Sequence, residues 1–287
     1  MPEYKHIKEL LLSTDKGTEG QLLIPRRIHG MILDEAEKHL IPRSEAAMYF
    51  GPADIPGSSI DVDLLTLDSM DVRLVPEGAE IPLDSAEYTS FNLKPKKYGV
   101  CIRISRELRE DSSFQLLDQN VKLAGRRLAE NENKLIVLDA LDQAGNTVTG
   151  GAAVTIANIT RAGQYLRDSD FTPTSYFVGP EVLTDLQNID TFVEYDKNPT
   201  AHKEMMDKGF VGKVYGMNVF QVSANAGMVT TSSYVTDREH AFCLAEKRPI
   251  TVENFELPAY DMSASAVTQR ISARHVRASA IAKITST

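Results

Sequence analysis

Between Ser112 and Leu141 the chain reads SSFQLLDQNVKLAGRRLAENENKLIVLDAL, with no proline and one glycine. Phe114, Leu117, Val121, Ala124 and Leu128 fall at alternating steps of three and four, and Leu135 and Leu138 resume the stripe. That spacing lines one face of a helix with apolar side chains. Ser112 with Gln115 three residues on forms a capping box, and Gly145-Asn146 supplies a stop. At 1.5 Å per residue this is a rod of roughly 45 Å, far longer than the usual helix of about three turns. The charges along it exclude a membrane span, Asn131, Glu132 and Asn133 break the heptads of a coiled coil, and no repeat is visible. What remains is one backbone helix laid across a sheet. It is a scaffold feature, not an active site.

The rest of the composition narrows the partners. The net charge of −9 argues against a protein that grips nucleic acid, because neutralising phosphates needs a basic surface. It does not exclude one that encloses it. Cys101 and Cys243 both sit in apolar runs, YGVCIRI and AFCLAE, which fits buried thiols in a reducing compartment. The opening MPEYKHIKELLLS has charges on either side of a short LLL and suits neither a signal peptide nor a spanning segment. The expectation is a protein made and kept inside a cell, with no membrane partner.

Before the long helix, residues 1–18 form a short amphipathic start and a polar linker, and Gln21 to Pro25 is briefly extended. Ile28 to Leu40 reads as a helix on Ile28, Met31, Ile32 and Ala36. After the turn-rich FGPADIPGSS the period changes to two, and Ile60 to Leu93 predicts a two-stranded excursion with its tip near Pro76-Glu77-Gly78. Strands of about ten residues would reach roughly 30 Å, and such a hairpin is marginal alone and open at its edges. It must fold back on the body or lie on another molecule.

Charge favours the second. Residues 61–87 carry eight acids, including Asp68, Asp71, Glu77 and Glu80, against Arg73 alone. Residues 94–109 carry Lys94, Lys96, Lys97, Arg103, Arg106 and Arg109 against Glu107. These ten named residues are the candidate contacts between copies. The other reading of the same charges is two solvated faces without a partner.

Tyr98 to Ser105 predicts a strand leading into the long helix. Beyond Gly150-Gly151, Thr155 to Leu166 reads as a helix, Ser175 to Val178 as a strand, and PEVLTDLQN as a helix with Pro180 at its first position. Residues 190–210 read as a polar loop and Lys213 to Ser223 as a strand, making an α/β block over 151–240. Ala241 to Glu246 and Pro249 to Phe255 lead back, Val276, Ala278, Ala280, Ala282 and Ile284 alternate with Arg277, Ser279 and Lys283, and the C-terminal strands are expected to pair with Tyr98–Ser105 beneath the long helix. No acid follows Asp261.

The chain shows no assembled chemistry. Its six histidines are scattered without metal-ligand spacing, and His202-Lys203-Glu204 lacks a second histidine. There is no P-loop, no G-x-G-x-x-G and no G-x-S-x-G. The expectation is no catalytic residue, no cofactor, no metal, and no enzyme.

Five segments, in order, carry a resemblance. They are GQLLIP (Gly20–Pro25), VPEGAEIPLDSAEYTSFNLKPKKYGVCIRISRELREDS (Val75–Ser112), YFVGPEVLTDLQN (Tyr176–Asn188), GKVYGMNVFQVSAN (Gly212–Asn225) and the terminal VRASAIAKIT. With these the chain resembles the major capsid proteins of tailed double-stranded-DNA phages and archaeal tailed viruses, the Hong Kong ninety-seven fold. The resemblance implies an α+β architecture with an N-terminal arm (1–53), an extended β-hairpin loop (54–98), a peripheral strand and spine helix (99–150), an inserted α/β axial domain (151–240) and peripheral return strands (241–287). It implies pentamers and hexamers of an icosahedral virion shell around double-stranded DNA, held without sequence reading and assembled in the host cytoplasm. Portal, scaffold, protease and decoration proteins would be its further partners. Two departures matter. Residues 52–93 contain no lysine, so no loop-lysine cross-link is expected. Only about nineteen residues precede Gly20, so a scaffold would be separate or already cleaved. Two other readings are an encapsulin-like shell holding cargo enzymes and a carboxylate hydrolase on the same scaffold.

Overall fold

The computed structural model describes residues 42–66, 72–78, 85–105, 114–188, 210–257 and 260–286, with Ile32, Ala36, Leu40, Glu80 and Glu107. The long helix is present but less regular than its stripe suggests. α1 spans Phe114–Leu135, a π-helical turn follows over Ile136–Ala140, and a 3₁₀ turn over Leu141–Gln143 ends the rod. The predicted cap at Ser112 lies outside the described residues. Buried positions come as neighbours four residues apart: Ala124 and Gly125, Leu128 and Ala129, Glu132 and Asn133, Ile136 and Val137, Ala140 and Leu141. A repeat of four drifts by about 40° per step around a helix of 3.6 residues per turn. The wider π turn, closing i to i+5, absorbs that drift and keeps the last two pairs in the core. Leu138, predicted to continue the stripe, is turned out and 41% exposed.

Two larger sheets meet this rod. The first has the order β1 (Met48–Phe50), β10 (Phe242–Leu257), β11 (Met262–His275) and β4 (Lys96–Ser105). Val100, Ile102, Val252 and Val267 on one of its faces pack on Leu128 and Ala129 of α1, and Ile32 and Ala36 join them. The other residues of the predicted 28–40 helix, and residues 1–25, lie outside the described residues. The second sheet has the order β5 (Asn146–Thr149), β12 (Ile281–Thr285), β9 (Ser232–Thr236), β6 (Ser175–Val178), β8 (Met217–Gln221) and β7 (Phe210–Val214). α2 (Ile156–Arg167) and α3 (Pro180–Gln187) cover it through Ile159, Ala162, Leu166, Val182 and Leu186.

Two expectations need correcting here. The C-terminal strands do not all return beneath α1. β11 pairs with β4 over ten residues, but β12 lies between β5 and β9 in the other sheet. A 3₁₀ turn at Ala278–Ala280 breaks the alternation that seemed continuous in sequence. Past it, Ile281, Ala282 and Ile284 are all buried, as a strand covered on both faces requires. Likewise Lys213–Ser223 is not one strand. Tyr215 and Gly216 take φ of 50° and 84°, the paired positive values of a type I′ turn, and fold β7 back on β8.

The smallest sheet is β2 (Ile60–Leu65) paired with β3 (Tyr88–Leu93), from Ile60 opposite Leu93 to Leu65 opposite Tyr88. These strands have six residues each, shorter than the ten expected, because the apolar alternation gives way to acids and prolines.

Gly179, just before α3, shows how close the second sheet is to its own loop. A Cβ there would lie 2.5 Å from the Thr230 carbonyl oxygen and 2.8 Å from that of Val229. Backbone cannot yield as a side chain does. Gly179→Ala is therefore expected to destabilise the chain by about 1–3 kcal/mol, read as a lowered urea midpoint with an unchanged m-value.

Candidate functional site: an assembly surface

The sequence-predicted contacts divide between two places. Glu77 and Glu80 are exposed on the outer part of the hairpin region, Lys94 is exposed just before β4, and Lys96, Lys97 and Arg103 are exposed on β4. Asp68, Asp71, Arg106 and Arg109 lie outside the described residues. Among the described residues no ion pair joins the hairpin acids to the β4 cations. The two charged segments are separate surfaces of one subunit. Strand alternation also splits the cations, with Lys97 and Arg103 on one face and Lys96 on the other.

Register adds two cations that the sequence reading missed. Lys97 is opposite Arg270, and Arg270 is opposite Arg248. The acid-free run after Asp261 was the available signal for Arg270, though not for Arg248, which precedes it, and the strand pairing was not readable. All three arginines of that run are used inside the chain. Arg274 Nη1 donates to the Asn92 carbonyl at 3.2 Å and its guanidinium stands 5.2 Å from the centre of the Phe91 ring. Arg277 Nη2 donates to the Leu65 carbonyl at 2.7 Å, and Arg270 Nη2 to the Pro95 carbonyl at 3.3 Å. These donors hold the β2–β3 hairpin by its backbone, at the root through Asn92 and Pro95 and at the far end of the paired strands through Leu65.

The hairpin thus follows both of the alternatives its sequence left open. Its root folds back: Val62 and Leu93 are buried with Ile55, Cys243, Ala245 and Val276. Its outer part does not, and Leu65 and Tyr88 at the end of the paired strands are exposed. Farther out, Val72 and Leu74 are 104% and 98% exposed. Large apolar side chains this open at the end of an anchored ribbon mark a surface awaiting cover.

A second arrangement lies between the first sheet and α1. Arg43, in a 3₁₀ turn at Pro42–Glu45, places Nε 3.2 Å from Glu132 Oε1 of α1 and Nη2 on Glu246 of β10. Tyr49 of β1 donates its hydroxyl to the same Glu246 oxygen. Gln269 of β11 donates to Glu132 Oε2 at 2.7 Å. Glu132 and Glu246 are only 1% and 4% exposed. Burial raises the Glu132 carboxyl to about 6, against the opposing pull of Arg43 and Gln269. Burial, then the hydrogen bond to Glu246, raises the Tyr49 phenol to about 12.

Elsewhere the surface is chemically plain. A shallow depression on α2 is lined by Ala157, Thr160, Arg161, Gln164 and Tyr165. Among the described residues no group of three or more His, Cys, Asp or Glu could hold a metal ion, and no helix is long and apolar enough to cross a membrane. Cys243 is buried as expected, but Cys101 is exposed, because it faces away from α1 on edge strand β4.

Spine helix, two sheets and projecting hairpin together make a Hong Kong ninety-seven-type capsid fold. Solved structures with this architecture include those from Microbacterium phage Oxtober96 (TM-score 0.63, 16% identity, covering 84% of this chain and 90% of that one) and Gordonia phage Cozz (0.63, 12%, 85% and 85%). The capsid of a native GTA particle is similar as well (0.63, 13%, 87% and 90%). No curated protein matches. A family model described as phage capsid protein matches residues 88–280. The chain belongs to that phage capsid family, and it is a major capsid protein, a subunit of an icosahedral shell.

The Arg43 joint offers a direct measurement. Removing Arg43 leaves two buried carboxylates without their cation, and breaking a buried pair from one side costs about 3–5 kcal/mol. Arg43 is itself 29% exposed, so Arg43→Ala is expected near the low end, about 3 kcal/mol. Arg126→Ala, which removes a half-exposed partner of Glu130 that Arg127 also serves, should stay within about 0.5 kcal/mol. Urea unfolding of the unassembled chain compares them.

Proposed function

We propose that copies of this chain join as pentamers and hexamers through the outer part of the hairpin, closing a shell around double-stranded DNA. The observation carrying this reading is the hairpin itself, with a buried root and a bare end. In a ring of heterologous contacts each subunit gives one surface and receives another. Here the giving surface is the hairpin end with Asp68, Asp71, Glu77 and Glu80. The receiving surface is the basic stretch with Lys94, Lys96, Lys97, Arg103, Arg106 and Arg109. Segments 1–53 and 54–98 act as arm and extended loop, 99–150 as the peripheral strand and spine, 151–240 as the axial domain, and 241–287 as the return, with β12 completing the axial sheet. The work is geometric and needs no catalytic group. DNA is enclosed rather than read, which suits the net charge of −9. Assembly takes place in the host cytoplasm, with portal, scaffold, protease or decoration proteins as the partners of such a shell.

Purified chain viewed by negative stain should show closed particles or ring-shaped capsomers. A compact monomer at high concentration would reject the reading. Exposed ion pairs contribute only about 0–1 kcal/mol each, so the charged contact matters by repetition. Reversing Asp68, Asp71 and Glu77 to lysine should raise the concentration needed for assembly, and added salt should do the same to the unaltered chain. Assembly indifferent to both would reject the charged contact while leaving the shell reading intact.

A further inference from the structure

The Arg43 joint is unbalanced, and the imbalance is independent of how shells are built. Four ionisable groups meet there: Arg43 from the 3₁₀ turn, Tyr49 from β1, Glu132 from α1 and Glu246 from β10, with neutral Gln269 from β11. Two carboxylates share one guanidinium, since a phenol at neutral pH carries no charge. One negative charge is therefore left in a site where both acids are almost wholly out of water. Desolvation of a charge that lacks its own partner is the costliest form of burial.

We propose that Glu132 is a proton-operated latch: with its carboxyl neutral the segment Pro42–Phe50 is held tightly to the spine helix and first sheet, and with it ionised the segment opens more readily. Proton uptake leaves Arg43 and Glu246 as a balanced pair. The protonated Glu132 still accepts from Gln269. Opening the segment removes Arg43 and admits water to Glu132, returning its carboxyl to the ordinary range near 4.5. The closed state, with a carboxyl near 6, thus binds the proton more strongly than the open one. By linkage its stability rises as pH falls from above 6 towards 4.5 and is flat beyond. This direction is the reverse of ordinary carboxylate pairs, which weaken on acidification.

Backbone hydrogen exchange on the full-length chain tests it, corrected for the intrinsic pH dependence of exchange. The reporter is the stretch from Ala47 to Phe50, where the Ala47 amide donates to the Phe242 carbonyl at 2.8 Å and β1 pairs in parallel with β10. Protection there should rise by about eight-fold between pH 7.5 and 5, part of the roughly 30-fold that a shift from 4.5 to about 6 corresponds to at full protonation. Glu132→Gln should abolish the dependence and hold the segment protected throughout. Protection that is flat or falls on acidification, or a Glu132→Gln chain that keeps the wild-type profile, overturns the latch. Carbon-13 titration of the Glu132 carboxyl in the unaltered chain needs no variant: a midpoint near 6 supports the proposal, and one near 4.5 overturns it.

Discussion

Both sheets and the spine helix share one stretch of core, and the placing of everything else depends on it. Ile136, Val137, Ala140 and Leu141 pack with Phe177, Phe220, Tyr234 and Ile281 from the second sheet and with Phe242, Leu244, Ile271 and Ala273 from the first. A straight α-helix with buried positions every four residues would have rotated these side chains off that junction. The π turn corrects the phase at the point where the rod passes between sheets. Such turns are rare and energetically poor on their own, so this one persists because the burial of four side chains outweighs it, at about 1.5–3 kcal/mol for each large one. The subunit is therefore rigid where its two halves join.

That junction also explains which parts of the fold were legible in sequence. Elements whose pattern is local were read nearly to the residue: Ser175–Val178, the Pro180 helix and the helix following Thr155 all have periodicity and end signals in their own segments. Failures came where tertiary structure sets the pattern. The stripe through Leu135 and Leu138 assumed 3.6-residue geometry to the end. The terminal VRASAIAKI looks like one alternating strand, yet a short turn inside it switches sheets. The Tyr215-Gly216 turn was overlooked because tyrosine is an unusual occupant of a positive-φ position. Among the candidate contacts, sequence located the charged segments but not their neighbours, because those depend on the register of β4 against β11 and of β11 against β10.

Tertiary structure also sets the polar interruption at Glu132. In sequence, Asn131-Glu132-Asn133 looks like a break in the apolar stripe. In the structure Glu132 occupies a regular buried position and meets an arginine eighty-nine residues earlier in the chain. A well-packed apolar replacement of such a cluster is often as stable or more so. An apolar contact would not, however, select one docking of a short 3₁₀ turn over its neighbours. Directed donors and acceptors from five elements do select it, so the cluster fixes where the chain enters β1 and, through β1, where the hairpin root begins.

The hairpin then divides its labour along its length. Along the paired strands, arginines from the C-terminal stretch bond to backbone carbonyls of Leu65, Asn92 and Pro95, while burial of Val62 and Leu93 anchors the root. In the proposed contact at the outer end, charge and apolar surface would contribute unequally. Covering Val72 and Leu74 on a neighbour gains about 1.5–3 kcal/mol for each side chain, whereas each exposed ion pair gives at most about 1. Affinity between copies would then come mainly from two apolar residues, and the acids around them would govern approach and reject misaligned encounters, because like charges brought together oppose each other while salt screens both effects. In the proposed ring an anchored root would make that small contact sufficient. A root already held in place would spend little conformational entropy when the outer end is captured, so a weak contact repeated around a ring could close it and still be broken and remade during assembly.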